Sequence, residues 1–178
     1  MTRFKKSLLM QNNNDQSLRV LGIDPGYERL GIAIVEKTPR NKEALIFSEC
    51  FKTSSKLSHD RRLVMLGEEI KRVIKKFKPT DMAIEQLFFN DNQKTALLVG
   101  EARGVITYEA ALGNLEIYEY TPLEIKVAVT GYGRSNKEQV SGMIEKLITI
   151  PARKILDDEF DAIAICLTHI ASKRFMTR

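Results

Sequence analysis

The spacing of apolar and polar positions changes several times along the chain, and each change marks an element. Val20-Leu21-Gly22-Ile23 is a short apolar run that ends on Asp24 and meets a Pro25-Gly26 turn at once, which reads as a buried strand over 19–25. Leu30-Gly31-Ile32-Ala33-Ile34-Val35 predicts a second strand and Ala44 to Phe51 a third. The turn chemistry of Thr38-Pro39-Arg40-Asn41 joins them as an antiparallel meander. The period then lengthens. Leu63, Leu66, Ile70, Val73, Ile74 and Phe77 recur at helical spacing, with Ser58 as the expected cap and Pro79 as the stop. The opposite face of this helix carries Arg61, Arg62, Lys71, Arg72, Lys75, Lys76 and Lys78. A solvated surface explains those charges more readily than a nucleic-acid contact does.

Asp81-Met82-Ala83-Ile84-Glu85 is again short and apolar, and it predicts a buried strand ending on a second carboxylate. Residues 93–112 are apolar on most faces and predict a largely buried helix. Gly100 and Gly104 inside it each weaken the helix by about 1 kcal/mol relative to Ala, so close approach of a neighbouring backbone is expected there. Glu116–Tyr120 reads as a fifth strand, Thr121-Pro122 opens a short helix, and Gly131-Tyr132-Gly133 is a loop. Helices follow over 136–149 and 157–172. This order predicts an α/β fold whose mixed sheet has three antiparallel strands, then two parallel ones, with helices on both faces. The crossover places the fourth strand beside and parallel to the first, which brings Asp24 and Glu85 to one edge of the sheet. Residues 1–17 show no sustained period and are expected to be a mobile arm, leaving 18–178 as a single domain.

Composition narrows the class. Apolar residues at 43% and charged residues at 29% suit a globular domain. The formal charge of +5 is unevenly spread. Residues 37–78 hold twelve Lys/Arg against five Asp/Glu, whereas 157–161 hold four acids and no base. A basic body with an acidic focus suits a protein that grips a polyanion and cuts it with metal, although a basic surface helix alone explains the charge as well. Two cysteines 116 positions apart form neither a zinc spacing nor a disulfide framework. With only Leu8-Leu9-Met10 as an N-terminal apolar run, a cytoplasmic location is expected.

An acid at the end of a buried strand is costly unless a cation compensates it. Asp24 and Glu85 pose that problem twice at one edge, and the last helix opens with Asp157, Asp158, Glu159 and Asp161. Asp158 and Asp161, or Asp157 and Asp161, share a helix face. Acids in a first helical turn also favour the macrodipole with no function at all. Three elements delivering acids to one place are harder to explain that way. Oxygen-only ligation suits Mg²⁺ or Mn²⁺.

Leu21-Gly22-Ile23-Asp24-Pro25-Gly26, Ala83-Ile84-Glu85-Gln86, Gly100-Glu101-Ala102-Arg103-Gly104 and Asp161-Ala162-Ile163-Ala164-Ile165 stand in this order. Together they resemble the RuvC family of Holliday-junction endonucleases, over about residues 19–172. The resemblance implies the ribonuclease H-like fold. It also implies paired symmetric nicks in four-way DNA junctions during recombination and repair. Chemistry of that kind uses two Mg²⁺ per site, with Mn²⁺ as a possible substitute, and water attacks the phosphorus as a 3′-hydroxyl leaves. The family's four metal-binding acids correspond to Asp24, Glu85, Asp158 and Asp161. Family members carry small residues between the last two acids where this chain has Glu159 and Phe160. Asp157 therefore competes with the preferred Asp158 for the third place.

By the same resemblance Phe88 stacks at the junction crossover, while Phe89 is left open between core and DNA. Lys126 and Lys137 match two basic positions, and Arg134 and Ser135 stand beside them as backbone-contact candidates. Lys137, near a helix start, opposes the macrodipole, which hints at a phosphate. His59 and His169 are assigned to no site. The expected partners are four-way junction DNA, a second copy of the chain in a C₂ homodimer, and a branch-migration complex of the RuvA–RuvB type. The rival functions are an actin-like ATPase, a ribonuclease H-like nuclease for RNA or single strands, and a junction-binding module without catalysis. One 178-residue chain with no second phosphate loop argues against the ATPase.

Overall fold

The computed structural model describes residues 17–38, 42–87 and 93–176. Apart from Ser17, the expected arm lies outside them, as do residues 39–41 of the first turn. The chain runs β1 (Leu18–Asp24), β2 (Arg29–Lys37), β3 (Ala44–Lys52), α1 (His59–Phe77), β4 (Asp81–Glu85), α2 (Gln93–Leu112), β5 (Glu116–Tyr120), α3 (Pro122–Thr130), α4 (Lys137–Leu147) and α5 (Asp157–Met176). The sheet order is β3-β2-β1-β4-β5. The first three strands are antiparallel, and β4 and β5 run parallel to β1, as the pattern predicts.

Strand alternation sorts side chains by size. Leu21, Ile23, Ile32, Ile34, Met82 and Ile84 point to one face, against Leu66 and Ile70 of α1 and Ile106 of α2. The other face offers Val20, Ala33 and Ala83 to Ala162, Ile163 and Cys166 of α5. Gly22 shares that second face, and a Cβ there would lie 2.5 Å from Cys166 Sγ and 3.2 Å from its amide nitrogen. The small residues let α5 sit almost on the sheet backbone. Asp24 and Glu85 have the parity of Gly22 and Ala83, so both face the end of α5.

Three expectations change. Helix α2 is not largely buried. Ala102, Ile106 and Ala110 form its one fully covered stripe, while Leu97, Tyr108 and Leu112 are each at least 60% exposed. Among the described residues no atom lies within 4 Å of a Cβ built on Gly100 or Gly104, so no neighbouring backbone among them accounts for these glycines. Arg62 is not on a solvated face; it is 7% exposed, with its guanidinium 3.7 Å from the centre of the Tyr27 ring. Ser58 holds the N-cap position of α1 without a side-chain cap bond.

The edge of the sheet away from the acids is locked by a buried polar group. Asp81 accepts hydrogen bonds from His169 Nε2 at 2.7 Å and from Lys173, while His169 Nδ1 is 2.8 Å from the Tyr120 hydroxyl. Burial alone would raise the Asp81 carboxyl, but the bonds from His169 and Lys173 hold it down at about 2. That stability is present above the unfolded value of 3.8 and is lost as pH falls through about 2. Asp81→Asn is expected to cost about 1–3 kcal/mol at neutral pH and to flatten the acid limb of the stability curve. Urea unfolding from pH 2 to 7 measures both; an unaltered acid limb assigns that sensitivity to other groups.

Candidate active site

Four carboxylates meet at one edge of the sheet. The pairing of β1 with β4 runs to Ile23↔Ile84, so Asp24 and Glu85 follow side by side at the strand ends. Asp158 and Asp161 enter from the first turns of α5. Burial raises the Asp24 carboxyl to about 7, and the charges of Asp161, Glu85 and Asp158 push it the same way. Glu85 is raised by burial and then by Asp161, with Lys137 and Lys126 pulling back. Burial also raises Asp161, against the pull of Lys137. Asp158 bears on Asp24, whereas Asp157 is exposed and is felt at Asp161 and Lys137. This asymmetry favours Asp158 as the third acid.

Internal cations partly offset the cluster. Arg29 forms an ion pair with Asp158, and Cys50 Sγ lies 3.5 Å from the same carboxylate. Lys137 Nζ is 3.5 Å from Asp161. With those partners engaged, no three acidic, cysteine or histidine side chains among the described residues converge closely enough to enclose an ion. The donors themselves are hard, anionic and mutually repelling, which is the chemistry a divalent cation relieves. Arg29 and Cys50 went unnoticed in the sequence. Strand parity could have found them: Arg29 shares a face with Gly31, which pairs with Asp24 on one side and with Cys50 on the other.

The loop after Asp24 is rigid for local reasons. A Cβ on Gly26 would fall 3.0 Å from the carbonyl carbon of Arg29 and closer still to its oxygen, so the turn closes only on glycine. Tyr27 next to it is clamped by Arg62 and by His59, whose Nδ1 is 2.9 Å from the Tyr27 hydroxyl. Thr53 Oγ1 donates to the Tyr27 carbonyl at 2.8 Å.

Two capped helices form the opposite wall. Thr121 and Glu124 make a capping box on α3, and Asn136 and Gln139 make another on α4. Gly131 ends α3 in the left-handed region at φ 76°. Between the helices and the acids lies a cleft of about 500 Å³, whose lining includes Glu85, Pro122, Lys126, Lys137 and Asp161. Lys126 and Lys137 thus stand beside the acids in this cleft, and Arg134 is exposed in the adjoining loop. Ser135 also lines the cleft, with its side chain 4% exposed and bonded to Thr130 and to the Tyr132 carbonyl. Phe88 and Phe89 lie outside the described residues.

The family described as "Crossover junction endodeoxyribonuclease RuvC" matches residues 20–169. A relative of that name from Caldicellulosiruptor saccharolyticus is 43% identical over 155 residues, covering 87% of this chain and 93% of its own. One from Halothermothrix orenii is 44% identical over the same length and the same shares. Among solved structures, T. thermophilus RuvC in complex with a Holliday junction substrate superposes with a TM-score of 0.84 at 31% identity, covering 90% of this chain and 97% of that one. The yeast mitochondrial Holliday junction resolvase shares the fold, with a TM-score of 0.68 at 14% identity, covering 97% of this chain and 87% of its own.

Proposed function

The chain belongs to the RuvC family of crossover junction endodeoxyribonucleases, and from that premise we propose that it resolves four-way DNA junctions by paired symmetric nicks at the carboxylate edge. The observation that carries the reading is the placement of Asp24, Glu85, Asp158 and Asp161 at one edge of the sheet, where burial and the charges of the other three raise the Asp24 carboxyl to about 7. These four acids would hold two Mg²⁺, and Mn²⁺ suits the same oxygen donors. When bound, such ions supply charge neutralisation at the phosphodiester and an activated water. The remaining work falls to the chain. The turn at Pro25-Gly26 fixes Asp24, and α5 presents Asp158 and Asp161 as a unit. Lys126 and Lys137 meet the phosphates from the cleft wall, with Arg134 beside them, and Phe88 stacks on an unpaired base. Residues 18–178 act as one nuclease domain, in the cytoplasm, where both cysteines stay free. Among the described residues no helix is long and apolar enough to cross a membrane.

Incubation with Mg²⁺ and labelled junction, plain duplex and RNA–DNA hybrid tests the reading. Paired nicks in the junction alone are expected. Equal cutting of duplex would sink the assignment, and cutting of the hybrid would move it to a ribonuclease.

A two-fold symmetric substrate calls for a two-fold enzyme. Leu97, Gly100, Gly104, Tyr108 and Leu112 share a face of α2 that no other described residue covers, where an apolar stripe with two glycines suits a second copy of the same helix. Gly104→Ala is therefore expected to shift the chain towards monomer by sedimentation. An unshifted equilibrium, with only the gain of about 1 kcal/mol that Ala brings to an exposed helix, would place the dimer contact elsewhere. By family likeness, a branch-migration complex of the RuvA–RuvB type delivers the junction.

A further inference from the structure

Glu159 stands between the two helix acids, yet it does not join them. It is 3% exposed and turned towards β3. Its Oε2 accepts from Ser48 Oγ at 2.7 Å and from Arg153 Nη2 at 2.6 Å, and its Oε1 accepts from Arg153 Nη1 at 3.1 Å and from the Leu156 amide at 3.2 Å. Arg153 in turn donates to the Ser48 carbonyl at 2.8 Å. Burial opposes the charge, but the hydrogen bonds from Arg153, Ser48 and Leu156 outweigh it and hold the carboxyl below its ordinary value. Every oxygen of this buried carboxylate is satisfied, which is the condition under which such a group can be kept.

The position of the knot gives it a consequence. Leu156 precedes the first residue of α5 and has no side chain able to cap it. Glu159, three residues into the turn, supplies the reach-back half of a capping box to the Leu156 amide. On the sheet side the same turn rests on β2, where a Cβ on Gly31 would fall 2.8 Å from the Asp158 carbonyl carbon. The turn is thus pinned at two points on neighbouring strands, and Asp158 and Asp161 have no freedom to rotate away independently. We propose that Glu159, with Arg153 and Ser48, is a positioning group for the reaction: it sets the first turn of α5 so that Asp158 and Asp161 face Asp24 and Glu85.

This inference rests on the metal-binding reading of the acids, and the test separates the two. Mn²⁺ affinity is followed through the resonance of the free ion, beside kcat and KM for labelled junction. Glu159→Ala is expected to weaken Mn²⁺ binding about 10–100-fold and to lower kcat with KM little changed. Because that variant also strands Arg153, a triple variant, Ser48→Ala with Arg153→Met and Glu159→Met, replaces the whole knot with apolar groups and should regain stability. Stability restored with Mn²⁺ affinity and kcat still low supports positioning. Recovery of all three together overturns it, since the knot then only holds the fold. Ser48→Ala alone keeps the ion pair and is expected to weaken Mn²⁺ binding roughly two- to five-fold; no change there also overturns the proposal. A wild-type protein that binds no Mn²⁺ would instead defeat the metal-binding reading itself.

Discussion

Asp24→Asn is expected to abolish junction cleavage, by a thousand-fold or more, while making the metal-free protein more stable. Loss of activity follows from removing a charged oxygen donor at the point where β1, β4 and α5 meet, where an amide cannot take its place. Binding of the junction should persist, because Lys126, Lys137 and Arg134 are untouched. The gain in stability follows from linkage. In the folded metal-free state the Asp24 carboxyl lies at about 7, against 3.8 for the unconstrained group, chiefly through burial and then through repulsion from Asp161, Glu85 and Asp158. Between these values the folded chain holds a proton that the unfolded chain has released, so stability declines as pH rises. The whole contribution is lost above about 7, and it amounts to at most roughly 4 kcal/mol at pH 8. Asn removes that liability, so the variant should melt higher at pH 8 and about level with wild type at pH 4. Saturating Mg²⁺ should close the gap by stabilising wild type alone. Thermal melts at both pH values with and without Mg²⁺, beside a cleavage assay, read all of this. A variant that melts lower at pH 8, or still cuts, would overturn the account of the acids.

Much of this arrangement could be read along the chain because it depends on local rules. An apolar run ending on an acid occurs at Asp24 and again at Glu85, and strand alternation with a crossover is enough to set them side by side. Capping signals at Thr121-Pro122 and helical spacing from Leu63 to Phe77 are likewise local, and the elements stand where those signals put them. What escaped notice depends on distance along the chain. Arg62 belongs to a helix face rich in charge, and its burial is compensated by Tyr27, 35 residues earlier, and by Thr53. The pairing of Arg29 with Asp158 spans 129 positions. Helix α2 reads as buried because hydropathy does not say whether an apolar face is covered by the core or left exposed. Nothing local sets Glu159 apart from the acidic run 157–161, because its partners, Ser48 and Arg153, come from an edge strand and a connecting loop.

Gly31→Ala should be among the most damaging small substitutions in the protein, since it acts on fold and site together. Gly31 pairs with Asp24 across β1 and β2 and faces α5. Its new methyl would lie 3.0 Å from the Asp24 Cβ and 2.8 Å from the Asp158 carbonyl carbon, with the oxygen nearer still. Neither neighbour can yield cheaply. Asp24 is fixed by the ladder and by the turn that closes on Gly26, and the Asp158 backbone is the first turn of a helix anchored by Glu159. Relief requires α5 to lift from the sheet at the end that carries Asp158 and Asp161. Overpacking of this kind costs about 1–3 kcal/mol or more, and a separation of the acids by about 1 Å would cost about 100-fold in rate. Gly22→Ala is the contrast. Its methyl meets Cys166 and the Ala162 carbonyl one turn or more further along α5, so it should destabilise comparably. Cleavage per folded molecule should be better preserved there, because the strain falls past Asp161 in chain order and leaves the seating of the first turn of α5 on Gly31 unchanged. Melting temperatures, Mn²⁺ affinity and single-turnover cleavage of both variants separate these effects. If Gly31→Ala lost no more cleavage per folded molecule than Gly22→Ala, close contact between β2 and the first turn of α5 would not be what holds the acids in register.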